Sequence, residues 1–227
     1  MKDELNKKIH DFFQWYEDLY GKNLYVNIDN IKQISEIETQ GNNHISVLRQ
    51  YEKEIENCTK CPLHKTRTNF VFGVGNENAD ILFVGEAPGK NEDLQGEPFV
   101  GRAGQLLNQM LAHIHLKRSD VYIANILKSR PPNNRDPLPE EVEVCIPYLH
   151  RQIEIINPKL LIALGRISAQ NLLKTKEPLS KLRNKVWNYV DIPLIVTYHP
   201  AAILRNMGLL DTALEDFRFI LKTSKNQ

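Results

Sequence analysis

Beyond residue 78, short apolar runs alternate with amphipathic stretches. The runs are DILFV at 80–84, VYIANIL at 121–127, KLLIAL at 159–164 and IPLIVT at 192–197. Each has the length of a buried strand and is bounded by polar or turn-forming residues. The segments near 103–115, 139–157 and 166–174, and a last one at 210–222, carry apolar residues at helical spacing. Strand–helix alternation of this kind predicts an α/β fold, a three-layer αβα sandwich around a central, mainly parallel four-stranded sheet. The start of the chain is patterned differently. Leu5, Ile9, Phe12, Tyr16 and Leu19 predict an amphipathic helix over 3–20. Residues 21–44 are polar and end in Gly41-Asn42-Asn43, which reads as a linker, and a second helix is expected at about 45–57.

In open parallel sheets, ligands bind beyond the carboxyl ends of the strands. The residues there are Gly85-Glu86, then Asn125 with Lys128-Ser129-Arg130, then Gly165-Arg166, then Tyr198-His199-Pro200. Carboxylate, amide, guanidinium and imidazole therefore converge on one rim. The first strand runs straight into GEAPGKNEDLQGEPFVGRAGQLL (85–107), a loop far more acidic than a plain turn requires. A neutral imidazole at His199 is suited to donate to an oxygen that gains negative charge. A carboxylate such as Glu86 or Asp93 orients or deprotonates water. Asn125 offers a donor and an acceptor to the edge of a nucleobase, and Phe99 a flat stacking face.

Charge changes this picture only slightly. The net charge of +1 is unevenly spread: residues 1–47 carry 5 lysines against 8 acidic residues, leaving 24 basic and 20 acidic groups beyond. That surplus permits nucleic-acid binding without demanding it. Lys128, Arg130, Arg135, Arg166 and Arg205 are expected to face phosphates from the rim. No apolar run approaches the roughly 20 residues of a membrane span. The first twenty residues lack the apolar core of a signal peptide, so a cytoplasmic setting is expected.

GEAPGKNEDLQGEPFVGRAGQLL, NILKSRPPNNRDPLPEEVEVCIPYL and HPAAILRN resemble the motifs of family 4 uracil-DNA glycosylases, the iron–sulfur group of bacteria and archaea. The resemblance runs from about residue 48 to about 221. It implies a catalytic domain over 48–227. Residues 1–47 lie outside the resemblance as an N-terminal extension, whose expected helix either docks on the domain or recruits a protein partner. The resemblance also implies a monomeric repair enzyme acting on uracil-containing DNA, single- or double-stranded. The flipped base would lie among Glu86, Ala87, Pro88, Phe99, Asn125 and His199. Phe99 would stack on it, Asn125 would bond its polar edge, and His199 would stabilise charge on the uracil oxygen. In related families an aspartate stands at the position of Ala87, so the water-handling carboxylate is expected elsewhere in the loop: Glu86 first, then Glu92 and Asp93. HPAAILRN would enter the minor groove, with Leu204 or Ile203 as the wedge and Arg205 near a phosphate.

The same resemblance implies a four-iron–four-sulfur cluster held by four cysteines. Here Cys58, Cys61 and Cys145 occupy three of those places and Ser129 stands in the fourth. A cluster on three thiolates plus Ser129 or water, a three-iron cluster, a zinc site that includes His64, and inert buried cysteines all remain open. Two other functions compete with glycosylase activity. One is a uracil-DNA-binding or polymerase-associated module with weak or lost catalysis. The other is covalent DNA capture through a histidine in an inserted basic loop, which SRPPNNRDPLP lacks. No lysine is among the residues expected to line the base pocket and so to form a Schiff base, and a monofunctional enzyme is expected.

Overall fold

The computed structural model describes residues 46–225. The helix expected over 3–20 and the linker that follows lie outside them. In chain order the elements are α1 (Val47–Ile55), β1 (Val74–Gly75), β2 (Ile81–Gly85), α2 (Lys90–Gln95), α3 (Arg102–His113), β3 (Tyr122–Asn125), α4 (Pro139–Ile156), β4 (Leu160–Leu164), α5 (Arg166–Leu173), α6 (Leu179–Leu182), β5 (Val186–Tyr189), β6 (Ile192–Thr197), α7 (Pro200–Arg205) and α8 (Leu210–Ser224).

The four expected strands are β2, β3, β4 and β6. They form the parallel centre of the sheet, with Phe83 opposite Ile123 on one side and Ile162 on the other, and Ile162 opposite Ile195. The sheet itself has six strands in the order β1-β3-β2-β4-β6-β5, the two edge strands being antiparallel. The four-strand expectation is corrected by these two. β1 has only two residues, too few to leave a pattern. β5 joins β6 through Val190 and Asp191, both at positive φ (47° and 63°). Such a hairpin turn usually announces itself with Asn or Gly, and a valine there conceals it.

Alternation along each central strand explains the three layers. Leu82, Val84, Tyr122, Ala124, Leu161, Ala163, Leu194 and Val196 pack against α1, α4, α5 and α6. Ile81, Phe83, Ile123, Leu160, Ile162, Leu164 and Ile195 face α3, α7 and α8. Every one of these strand residues is buried, as expected of a sheet covered on both sides. Helix α4 illustrates how local sequence sets a boundary. Pro139 occupies its first position, Glu141 accepts from the Leu138 amide at 2.9 Å, and Asn157 ends it in the left-handed region at φ 50°.

Below the carboxyl end of β6 lies a buried charged network. The Arg183 guanidinium donates to both carboxylate oxygens of Asp216 (2.8 and 2.7 Å) and to the Tyr198 hydroxyl (2.9 Å). The Thr197 hydroxyl donates to Asp216 as well, at 2.6 Å. Arg183 also lies 4.1 Å from the Tyr198 ring centroid. The segment that presents His199 is therefore tied to α8 and to the loop after α6. Among the described residues, no helix is long and apolar enough to cross a membrane.

Candidate active site

Beyond the carboxyl ends of the parallel strands opens a cleft of roughly 530 Å³. Glu86, Ala87 and Pro88 from the β2 loop line it, together with Phe99, Asn125 from the end of β3, Gly165 and Arg166 after β4, and His199 after β6. The groups expected at four strand ends thus share one cavity.

Asn125 is 2% exposed, and its side-chain Oδ1 is buried without a hydrogen-bond partner. Leaving such an acceptor unpaired costs about 1–3 kcal/mol unless a ligand fills it. The amide is held close by its neighbours. A Cβ on Gly85 would lie 2.2 Å from Asn125 Oδ1 and 2.7 Å from the Phe99 ring, so only glycine allows this approach.

His199 caps α7. Its Nδ1 accepts from the Ala201 amide at 3.1 Å, which places the ring proton on Nε2 as a donor. Burial, and then the nearby Arg205 cation, push its pKa down to about 4, so the ring is neutral at physiological pH. The Phe99 and His199 rings lie 5.4 Å apart, inclined at 35°.

Glu86 titrates upward instead. Burial raises its pKa to about 7, Asp136 adds to the rise, and Arg166 and Arg205 oppose it. Asp136 is in turn paired with Arg166 at 3.0 Å. Asp136 was not foreseen, although it belongs to the RPPNNRDP loop already singled out.

Several expected residues are placed elsewhere. Asp93 does not line the cleft: it is 3% exposed, and its Oδ1 accepts from the Thr68 and Asn69 amides at 2.8 and 3.4 Å. Its carboxylate ties α2 to the Thr68–Asn69 segment. Glu92 does border the cleft, but its Oε1 accepts from the Val100 and Gly101 amides (3.0 and 2.9 Å). Ile203 is fully buried between α7, α3 and the sheet, so it is not available as a wedge. Leu204 is only partly buried, Arg205 is exposed at the cleft, and Met207 just beyond is 55% exposed. Lys128 is not a rim cation either. It is fully buried, with its Nζ donating to the carbonyls of Phe72 (3.2 Å) and Asn125 (2.8 Å) and to Gln152 Oε1 (2.5 Å). Arg135 borders the cleft while donating to both oxygens of Glu141.

The cysteines gather on the α1–α4 side of the sheet. Cys58 Sγ accepts from the Tyr148 hydroxyl at 3.1 Å, and Cys145 Sγ from the Lys128 amide at 3.3 Å. Burial pushes the Cys145 thiol up to about 11, and Cys61 and Cys58 are near enough to add to that rise. Ser129, 4% exposed, accepts at its hydroxyl from Arg67 at 3.1 Å. His64 Nδ1 faces the Cys61 carbonyl at 2.7 Å. Among the described residues, no three His, Cys, Asp or Glu side chains converge tightly enough to hold one metal ion.

Comparison with known proteins now decides the family. Residues 72–222 match the uracil DNA glycosylase superfamily. A type-4 uracil-DNA glycosylase of Archaeoglobus fulgidus is 52% identical over 176 residues, which is 74% of this chain and 88% of that protein. The chain belongs to the type-4 uracil-DNA glycosylases. Another enzyme of that name, from Thermotoga maritima, is 46% identical over 72% of this chain and 88% of its own length. A DNA polymerase of Bacillus phage SP01 is 30% identical over 68% of this chain, a stretch that makes up 17% of the polymerase. Membership of this family accords with the six-stranded, mainly parallel sheet described above.

Proposed function

We propose that this uracil-DNA glycosylase takes a flipped uracil into the cleft at the strand ends and hydrolyses its N-glycosidic bond. The observation that carries this reading is the buried, unpartnered Asn125 Oδ1 in a cavity that it shares with a neutral imidazole donor and a half-buried carboxylate. The base stacks on Phe99, and the Asn125 amide bonds its polar edge. As the bond between C1′ and N1 breaks, charge moves onto the uracil ring and its oxygen. The Nε2 proton of His199 stabilises that charge. Ionised Glu86 orients a water whose oxygen bonds to C1′ and accepts the proton that water gives up. The products are free uracil and an abasic site.

No lysine lines the cleft among the described residues, which supports hydrolysis without a Schiff base. Lys128 is close in sequence, but its Nζ is enclosed by three protein acceptors. Leu204 and Met207 serve as the apolar groups that enter the stack, with Arg205 on a phosphate. Residues 48–227 form the catalytic domain, acting as a monomer on single- or double-stranded DNA. Residues 1–47 are an N-terminal extension outside that domain.

Cys58, Cys61 and Cys145 present three thiols to one patch, a donor set suited to an iron–sulfur cluster. Ser129, whose hydroxyl accepts from the Arg67 guanidinium, would supply the fourth position. A cluster there would cross-link the Cys58–Cys61 turn to α4 and the Ser129 loop and would take no part at C1′.

Uracil release from a single-stranded oligonucleotide tests the reading. Free uracil and an abasic site that breaks only on alkali treatment are expected. Binding without release would replace the enzyme by a uracil-DNA-binding or polymerase-associated module.

A further inference from the structure

The backbone of Phe99 stands in the left-handed region, at φ 55°. An aromatic residue rarely adopts that conformation and returns to extended backbone unless its surroundings hold it. Two charged side chains do so from either flank. One Arg118 guanidinium donates to the carbonyls of both Pro98 and Phe99, the latter at 3.2 Å. Successive carbonyls of an extended chain point to opposite sides, so a single guanidinium reaches both only when the chain is bent. On the other flank, Glu92 Oε1 accepts from the successive amides of Val100 and Gly101, filling a nest of N–H groups with a carboxylate. Helix α3 closes the third side: a Cβ on Gly104 would lie 1.7 Å from the Phe99 carbonyl oxygen.

We propose that Arg118 is a positioning residue for the base pocket: with Glu92 it clamps the Phe99 peptide in its bent conformation and so fixes the stacking face against Asn125 and His199. Arg118 touches none of the reacting atoms. It sits in the short 3-10 turn Arg118–Asp120 before β3, away from the family motifs quoted above. Without it, Phe99 relaxes toward extended backbone and its ring leaves the position 5.4 Å from His199. The proposal rests on the reading of Phe99 as the stacking platform, and the test separates the two.

The experiment measures inhibition of excision by free uracil, and the half-saturating enzyme concentration in single turnover, for the full chain and for Arg118→Met, Arg118→Lys, Phe99→Leu and the Arg118→Met/Phe99→Leu double variant. Arg118→Met is expected to weaken inhibition by uracil by about ten-fold, the scale of lost hydrogen bonds to a charged group. Arg118→Lys, which keeps the charge and a donor, should recover part of that loss, and it carries the comparison if Arg118→Met does not fold. In the Phe99→Leu background, removal of Arg118 should have little further effect, because its influence passes through the ring. An effect of equal size with and without Phe99 would make Arg118 a merely structural fastening and overturn the proposal. Phe99→Leu weakened with Arg118→Met at parent affinity would overturn the clamp alone. Phe99→Leu at parent affinity would overturn the platform and the clamp with it.

Discussion

The base cleft and the cysteine patch treat their polar groups in opposite ways. In the cleft, Asn125 Oδ1 has no protein partner, His199 carries its ring proton on Nε2, and burial pushes the Glu86 carboxyl up to about 7. At the patch, Cys58, Cys145 and Ser129 already accept from Tyr148, the Lys128 amide and Arg67. Lys128 alone among these residues touches both regions, its Nζ on the Asn125 carbonyl and its amide on Cys145. A site that must receive and release a ligand keeps groups unsatisfied, whereas a site that braces the fold ties them down. Changes in the cleft should therefore alter turnover, and changes in the patch should alter retention of metal and stability.

The largest effects are expected from His199→Ala and Asn125→Ala, each lowering the single-turnover excision rate by roughly 10²-fold or more, as on loss of a preorganised donor. Parent rates in both folded variants would dissolve the distinction between the two regions.

A smaller effect concerns pH. Glu86 has its pKa raised to about 7, chiefly by burial, so the carboxylate that handles water is ionised above that value and neutral below it. His199, lowered to about 4, remains a neutral donor throughout this window. The excision rate should rise with pH by about ten-fold per unit below pH 7 and level off above it. Asp136→Asn removes a like charge and should move the limb to lower pH, while Glu86→Gln should flatten it. A limb that stays in place in Glu86→Gln would assign the water to another group.

The smallest effect on rate is expected at the patch. Ser129→Cys offers sulfur in place of a hard, weakly acidic hydroxyl. Iron per protein and the persistence of visible absorbance in air should both increase, with the excision rate within about two-fold of the parent. Ser129→Ala should hold iron no better than the parent. If Ser129→Cys gains neither iron nor stability in air, residue 129 does not face a cluster.

Much of this was legible in the chain. The apolar runs located the four parallel strands because strands buried on both faces need continuous apolar sequence, and the rule that ligands bind beyond their carboxyl ends brought Glu86, Asn125 and His199 together. The edge strands were not legible: β1 is too short for a period, and β5 turns on a valine and an aspartate.

Residue type and loop membership settled which groups are capable of the chemistry, since the capacity to donate, accept or ionise belongs to the side chain itself. Direction, burial and neighbours were decided by the folded chain. Asp93 and Glu86 read alike as acidic loop residues, yet one carboxylate is turned onto the Thr68 and Asn69 amides and the other into the cleft. Ile203 and Leu204 are adjacent and equally apolar, but the helical turn of α7 sends the first into the core. Lys128 reads as a phosphate ligand, but in the fold three acceptors enclose it, two of them, Phe72 and Gln152, distant in sequence. Arg118 carried no signal at all, because its partners are two backbone carbonyls some twenty residues earlier. Side-chain chemistry is local and survives in one dimension, whereas orientation and solvation depend on contacts that exist only after distant segments have packed.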